Sequence, residues 1–483
     1  MADVTDVADV SGVAVERVVE APATEQPEPT APVGEPVRSS AWARARAYPG
    51  IRLRSASAGG RLVWWMTGLV LAVALCAVGV GAGSPVRHKA SFNPIDELAH
   101  YDYVVRVAHG SVPRWGDLYS SQSVHMVNCQ GDNGPLPQHC ANQPDPRRLA
   151  PQGFSYEAQQ PPLAYLAYVP FYSTSGSAAS DLTRVRLGGT LLRASGALLL
   201  LVVAWLADMS VLETAVLLAL CLLNAAVIQV SNLVDNDSSC LVAGALALVM
   251  VQVARRRQKP MIMASFAVGL VIGLFKGIYF VAPLALVIAG LSMEERPPRM
   301  SELRGFWRRR GSELSLLAGA LVSYAGFLAV QNARALVPAH QVLRALLGFL
   351  TSPRPTWKSI EMSAQAAYNA FAYGSRPLYW LLNLLVFGVA LGAVLVSRDR
   401  RAVPVRALAL GALVALPLVT EAFSLLNYVE IHVDIAASAR YDLPVVPILA
   451  FVAARALRPR AQVLVGLVLP ALAVYSLTHG HPF

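Results

Sequence analysis

The chain has 483 residues, of which 55% are hydrophobic and only 14% charged. Its apolar residues gather in runs of about 17–22, the length a helix needs to cross a bilayer, which excludes an ordinary soluble domain. The net charge of +10 is no nucleic-acid footprint, because the arginines sit in short clusters between apolar runs. The pattern is that of an all-α integral membrane protein.

Residues 1–60 carry no sustained apolar run. The part up to about Glu35 is acidic and rich in Pro, Ala and Val, a composition expected to be disordered. From Arg38 to Arg61 the tail turns basic, with Arg44, Arg46, Arg52 and Arg54, as in a cytoplasmic segment drawn to an anionic inner leaflet. Residues 61–83 are predicted as the first transmembrane helix. The run starts too late and is too long for a cleavable signal peptide. With Arg52, Arg54 and Arg61 ahead of it, its amino end is expected in the cytoplasm.

Residues 84–185 then form a large first extracytoplasmic loop, too long and varied to be a mere connector. A transmembrane bundle occupies 186–483. Apolar runs fall at about 187–206, 211–229, 238–254, 261–275, 278–292, 313–330, 377–396, 403–421, 442–457 and 461–477, which with the first makes about 11 transmembrane helices. In that count the basic clusters 255–259, 296–310, 397–401 and 455–460 all fall on the cytoplasmic side. Most acidic, His and polar aromatic residues fall on the other. The stretches His340–Leu350 and Ile360–Tyr373 are amphipathic and expected to lie along the interface. No internal repeat or inverted pair of broken runs is visible, which counts against a secondary transporter.

Five stretches on the expected outer side carry chemistry. The first, Ser91 to Tyr103, brings Asp96, Glu97, His100 and Asp102 within about two helical turns. Adjacent carboxylates at a membrane edge can take a proton from an acceptor hydroxyl or hold a divalent metal, and His100, one turn after Glu97, can share the proton. The bland alternative is a solvated loop. In the second, Tyr156 to Tyr165, Pro161-Pro162 fixes the chain as it returns to the bilayer. Glu157, Gln159 and Gln160 either line a pocket against Asp96 or are first-turn residues of a helix. The third, Ser231 to Ser238, offers Asp235 and Asp237 as turn and cap residues, or Asp237 as a second acidic site. The fourth is Lys276, set in a long apolar stretch, where a lysine either snorkels or meets a phosphate. The fifth, Ala437 to Pro444, places Arg440 where the positive-inside rule does not favour it and where bidentate phosphate binding does. Glu430, His432 and Asp434 alternate nearby; an irregular polar loop fits them better than a metal site. Cys129 and Cys140 share one polar loop and are candidates for a disulfide, while Cys76, Cys221 and Cys240 lie in or at apolar runs.

In order and spacing, Asp96-Glu97 with His100, Gln160-Pro-Pro-Leu163, Asn236-Asp237, Lys276 and Arg440-Tyr441 resemble the multi-spanning glycosyltransferases of the GT-C superfamily. The likeness is to the subgroup related to dolichyl-phosphate-mannose-protein mannosyltransferases and lipid A aminoarabinose transferases, and covers about residues 60–480. It implies a plasma-membrane enzyme with its active site on the extracytoplasmic face. The enzyme would move a sugar from a polyprenyl-phosphate donor to a glycan, lipid or protein of the cell envelope. By that likeness Asp96 is the catalytic carboxylate and Glu97 assists it or binds metal. His100, Glu157, Gln160 and Asp237 line the substrate site, Lys276 and Arg440 hold the donor phosphate, and Tyr441 stacks beside them. No cofactor is required of a lone carboxylate base, though Mg or Mn remains open. The insertion Asn128–Arg148 departs from the family pattern, and no large soluble domain follows the last run. A transporter of a lipid-linked glycan, or a non-catalytic envelope scaffold, are the alternative readings.

Overall fold

The computed structural model describes residues 57–89, 91–93, 96–131, 154–294, 302–338, 377–395, 403–431 and 439–478. The tail to residue 56, Cys140 and the insertion from 132 onward lie outside the described residues, as do the two amphipathic stretches of the 331–376 loop and the side chains of Glu430, His432 and Asp434.

The described residues are all-α, with isolated bridges such as Leu118 to Phe154 in place of any strand. It opens with α1 (Ala58–Ala82), α2 (Ser84–Arg87), α3 (Glu97–Ala108) and α4 (Ser121–Gln130). A 3-10 turn, Tyr156–Gln159, precedes α5 (Leu163–Leu166), α6 (Ala178–Val185), α7 (Leu187–Leu206), α8 (Val211–Leu222) and α9 (Ala225–Val230). A second 3-10 turn, Asn236–Ser239, leads into α10 (Cys240–Arg257) and α11 (Ile262–Phe275). A third, Gly277–Phe280, leads into α12 (Val281–Leu291), followed by α13 (Leu303–Arg334), α14 (Pro377–Leu395) and α15 (Val403–Ile431). The last turn, Ala439–Val445, precedes α16 (Val446–Ala456) and α17 (Pro459–Thr478).

Local sequence explains where these helices start. The Ser57 hydroxyl accepts the Gly60 N–H at 3.3 Å and so caps α1, and Ser120 caps α4 in the same way. Ser210 and Glu213 form a reciprocal capping box at the head of α8. Helices coincide with each of the eleven apolar runs, but the count of eleven crossings is not established by their length. Among the described residues five segments are long and apolar enough to cross a membrane: 58–82, 178–206, 236–257, 304–334 and 403–425. Elsewhere polar residues interrupt the run. Asn224 accepts the Val227 N–H at 3.1 Å and starts a new helix, which splits the expected 211–229 span into α8 and α9. Lys276 is extended, with φ −162° and ψ 136°, and separates α11 from the turn before α12.

α10 and α16 are largely buried at the centre, while α1 and α13 expose most of their apolar surface. α11 and α13 approach most closely where Gly269 faces Gly319; a Cβ on Gly269 would lie 2.1 Å from Leu316 O. Small residues allow such contact where lipid offers no hydrophobic drive between helices. At one end of the bundle Arg256 pairs with Asp208, Arg455 with Glu213, and Arg309 and Arg310 with Glu294. At the other lie α3 and the polar turns, with Asp96, Glu97, Asp235 and Asp237.

Gly269→Leu should therefore lower thermal stability in detergent by roughly 1–3 kcal/mol or more through overpacking. Gly388→Ala, which has open space around it, should leave the melting curve unchanged. Equal melting of both variants would contradict the close α11–α13 contact.

Candidate functional site

The site rests on a buried ion pair. Glu97, in the first turn of α3, and Arg186, at the head of α7, are both fully buried and joined through both carboxylate oxygens, with Arg186 Nη2 2.6 Å from Oε2 and Nε 2.7 Å from Oε1. Arg186 also donates to the carbonyls of Arg87, Lys89 and Ser91 at 2.8, 2.6 and 3.1 Å. Glu97 in turn accepts the N–H groups of Asn93 at 2.8 Å and Val234 at 3.0 Å. One ion pair thus fastens the segment after α1, the head of α3, the head of α7 and the loop after α9. A buried pair this fully hydrogen-bonded escapes the usual desolvation deficit. Glu97 is consumed by this work; its carboxylate meets Arg186 and backbone N–H groups, not the cluster around Arg440.

Asp96, next to it, is built differently. It stands at the N-cap of α3 in the left-handed region, φ 62°, yet its side chain makes no capping bond. An aspartate here would ordinarily cap the helix, worth about 1 kcal/mol. Instead its two oxygens accept from Tyr156 Oη and from Arg440 Nη2. A non-glycine residue held at positive φ with its cap forgone is the kind of local cost found at functional positions. Asp96 is also the cluster's most accessible carboxylate, with 29% of its side chain exposed.

Behind Asp96 the cluster deepens. Arg440 Nη1 lies 3.6 Å from Asp235 Oδ2 and Nε 3.5 Å from Asp237 Oδ2, so one guanidinium faces three carboxylates. Its Nε and Nη1 nonetheless make no hydrogen bond. Lys276 donates to Asp237 Oδ1 at 2.6 Å. The Tyr441 ring lies 5.0 Å from Lys276 Nζ and 5.8 Å from the Arg440 guanidinium carbon, a shared aromatic face for both cations. Phe423 of α15 packs edge-on against the same ring.

On the other side of Asp235 runs a chain of protonatable groups. His100 Nε2 is 3.4 Å from Asp235 Oδ1, and His100 Nδ1 is hydrogen-bonded to Tyr165 Oη at 2.8 Å. Tyr165 donates to Glu157 Oε2 at 3.3 Å and stacks on Tyr103. Tyr168 Oη accepts the Asp235 N–H at 3.2 Å and fixes the loop. Burial pushes the Glu157 carboxyl up, and burial with neighbouring Asp237 does the same to Asp235. Burial also works against the charged carboxylate of Asp96, but the Arg440 charge and the Tyr156 hydrogen bond outweigh it and hold Asp96 below its ordinary range. Burial lowers the His100 imidazole despite the carboxylates around it.

The structure therefore gathers Asp96, His100, Glu157, Asp237, Lys276, Arg440 and Tyr441 around one point, although they come from segments far apart in sequence. One role changes with the geometry: Glu97 is a structural clasp, because Arg186 takes both of its oxygens. His100 turns toward Tyr165, Glu157 and Asp235. At rest Lys276 and Arg440 pair with Asp237, Asp235 and Asp96. Gln160 contributes its backbone carbonyl, which accepts from Tyr103 Oη at 2.7 Å. Asp235 does cap the following turn, accepting the Asp237 N–H at 2.9 Å, and belongs to the cluster as well. Asp102 bonds Arg106 at 2.9 Å and the Ser120 N–H at 2.7 Å and braces α4. Cys129 is disulfide-bonded, and Cys140 lies outside the described residues. Among the described residues no group of three His, Cys, Asp or Glu side chains is arranged to hold a metal ion.

Sequence reasoning passed over Arg186, Tyr156 and Tyr165. For Arg186 a signal existed: it heads an apolar run on the same side as Arg440, where the positive-inside rule disfavours an arginine. The tyrosines gave none.

Arg186→Leu should destabilise the protein by roughly 3–5 kcal/mol, because it leaves Glu97 buried and unpaired. Thermal unfolding in detergent measures this, and a melting temperature equal to that of the wild type would remove the clasp from the account.

No known protein family, curated protein or solved structure matches the chain.

Proposed function

We propose that this cluster is the active site of a membrane glycosyltransferase that takes a sugar from a polyprenyl-phosphate donor to an extracytoplasmic acceptor. The observation that carries the reading is Asp96: strained, uncapped, most accessible of the cluster's carboxylates and held by Arg440 and Tyr156. Arg440 supports the donor side, since a buried guanidinium with two N–H groups lacking hydrogen bonds suits a phosphate. The apolar helices around Lys276 and Tyr441 suit a lipid tail.

In this reading the donor phosphate draws Arg440 and Lys276 away from their carboxylates. These cations then offset the charge that grows on the phosphate oxygen as the glycosidic bond breaks. The same movement frees Asp96 from Arg440, which raises its basicity just when an acceptor hydroxyl must lose a proton to it. Donor binding thus switches the base on. The large loop with α3 and α4 forms the acceptor side.

A second reading, translocation of a lipid-linked glycan without chemistry, draws on the buried Lys276–Asp237 pair within apolar helices. Transfer of radiolabelled sugar from a panel of polyprenyl-phosphate donors in membranes separates the two. Asp96→Asn, matched for expression, should lower transfer by about 10²-fold or more. Lys276→Glu should also abolish it. No transfer by the folded wild type from any donor, with flipping of a lipid-linked glycan instead, would favour translocation.

A further inference from the structure

We infer that an anionic phosphate binds this site only together with a proton, which is taken up by the chain Glu157–Tyr165–His100–Asp235. The inference rests on the phosphate reading of Lys276 and Arg440 given above.

The charge count supplies the first argument. Among the described residues the cluster contains the carboxylates of Asp96, Glu157, Asp235 and Asp237 against two fixed cations, Lys276 and Arg440. Those cations are already spent on Asp96, Asp235 and Asp237. An arriving phosphodiester adds another negative charge to a buried region whose carboxylates outnumber its cations. Deep burial makes an uncompensated charge costly, so protons are the remaining source of neutrality.

Hydrogen-bond directions supply the second. If Tyr165 donates to Glu157, then His100 Nδ1–H donates to Tyr165, and the lone pair of Nε2 faces Asp235 across 3.4 Å. That contact is favourable only with a proton between Nε2 and Oδ1. If every donor in the chain is reversed, the proton sits on Glu157 and Nε2–H donates to Asp235. The resting chain therefore holds one proton shared between its two carboxyl ends, and it has room for a second. The Arg440 guanidinium beside Asp235 stands in for that second proton at rest. When a phosphate takes Arg440 away, Asp235 loses its countercharge, and its carboxylate takes a proton from solvent while the first stays at the Glu157 end.

The carboxylates around the chain favour the added proton. From the head of α3 Asp96 faces His100, and from the 236–239 turn Asp237 faces Asp235, and both raise proton affinity. Lys276 and Arg440 oppose this until the phosphate engages them. Tyr441 lies against the two cations, and Tyr279 donates to Asn236 O and Asp237. Tyr156 faces Asp96 from the 156–159 turn. Asp442, two residues beyond Arg440, is buried with no hydrogen bond to either oxygen.

The sign follows directly. Binding that takes up a proton weakens as pH rises, by up to about tenfold in Kd per pH unit for one proton. Titration calorimetry on the purified full chain in detergent, in two buffers of different ionisation enthalpy near pH 7.5, reads the proton count. One arm uses a polyprenyl methyl phosphodiester in micelles, the other dimethyl phosphate, neither of which titrates near pH 7.5, which separates a lipid headgroup from a free phosphate as the source. The expected result is about one proton taken up per phosphate bound. Asp235→Asn should bind with little or no uptake and with a Kd nearly independent of pH; His100→Gln, a second variant, should behave alike. Phosphate binding without proton uptake in the wild type, or unchanged uptake in both variants, overturns this inference and leaves the phosphate site standing. Failure of both anions to bind removes the phosphate site and this inference with it.

Discussion

The Glu97–Arg186 pair is the constraint on which the polar end of the bundle depends. Six backbone partners and both carboxylate oxygens meet in a fully buried contact, so four chain segments are fixed by one interaction. Its neighbours inherit that rigidity. Asp96 is the residue immediately before Glu97, and Val234, bonded to Glu97, is the residue immediately before Asp235. The pair thus sets the separation between two carboxylates that flank Arg440. A left-handed Asp96 can persist because the residue after it cannot move.

What is fixed so firmly is a balance of charge that stands close to its limit. Carboxylates outnumber cations, the cations are shared, and Arg440 keeps two N–H groups short of a hydrogen bond. Such a site is not at rest in the sense of a structural ion pair like Glu97–Arg186, whose partners are all satisfied. In the proposed reading it exchanges one set of anions for another. In the proposed enzyme the exchange is phosphate for carboxylate, with Asp96 released as base and a proton absorbed at the far end of the cluster.

Many of the helices and many members of the cluster were legible in the sequence, and the reasons are physical. Apolar runs declare helices through their length alone, so α1, α7, α10, α13 and α15 stand where hydropathy puts them. Lys276 already marks a break between the runs 261–275 and 278–292, whereas Asn224 stops its run through a helix cap that hydropathy averages away. Charged residues misplaced for a membrane protein, Asp96, Lys276 and Arg440, announce themselves because their cost must have a reason. Their partners do not. Sequence treats Asp96 and Glu97 as twins, whereas one meets Arg186 and the other meets Arg440, a difference set by tertiary packing. Tyr156 and Tyr165 are invisible beforehand, since tyrosines at a membrane edge are common.

The central claim is that the cations now held by Asp96, Asp235 and Asp237 belong, in the working protein, to a phosphate. A cryo-electron microscopy structure with bound polyprenyl phosphate tests it most directly. The account predicts phosphate density within about 3–4 Å of both Lys276 Nζ and the Arg440 guanidinium, with Arg440 drawn off Asp96. Density elsewhere, with the Lys276–Asp237 and Arg440–Asp96 contacts intact, would contradict it.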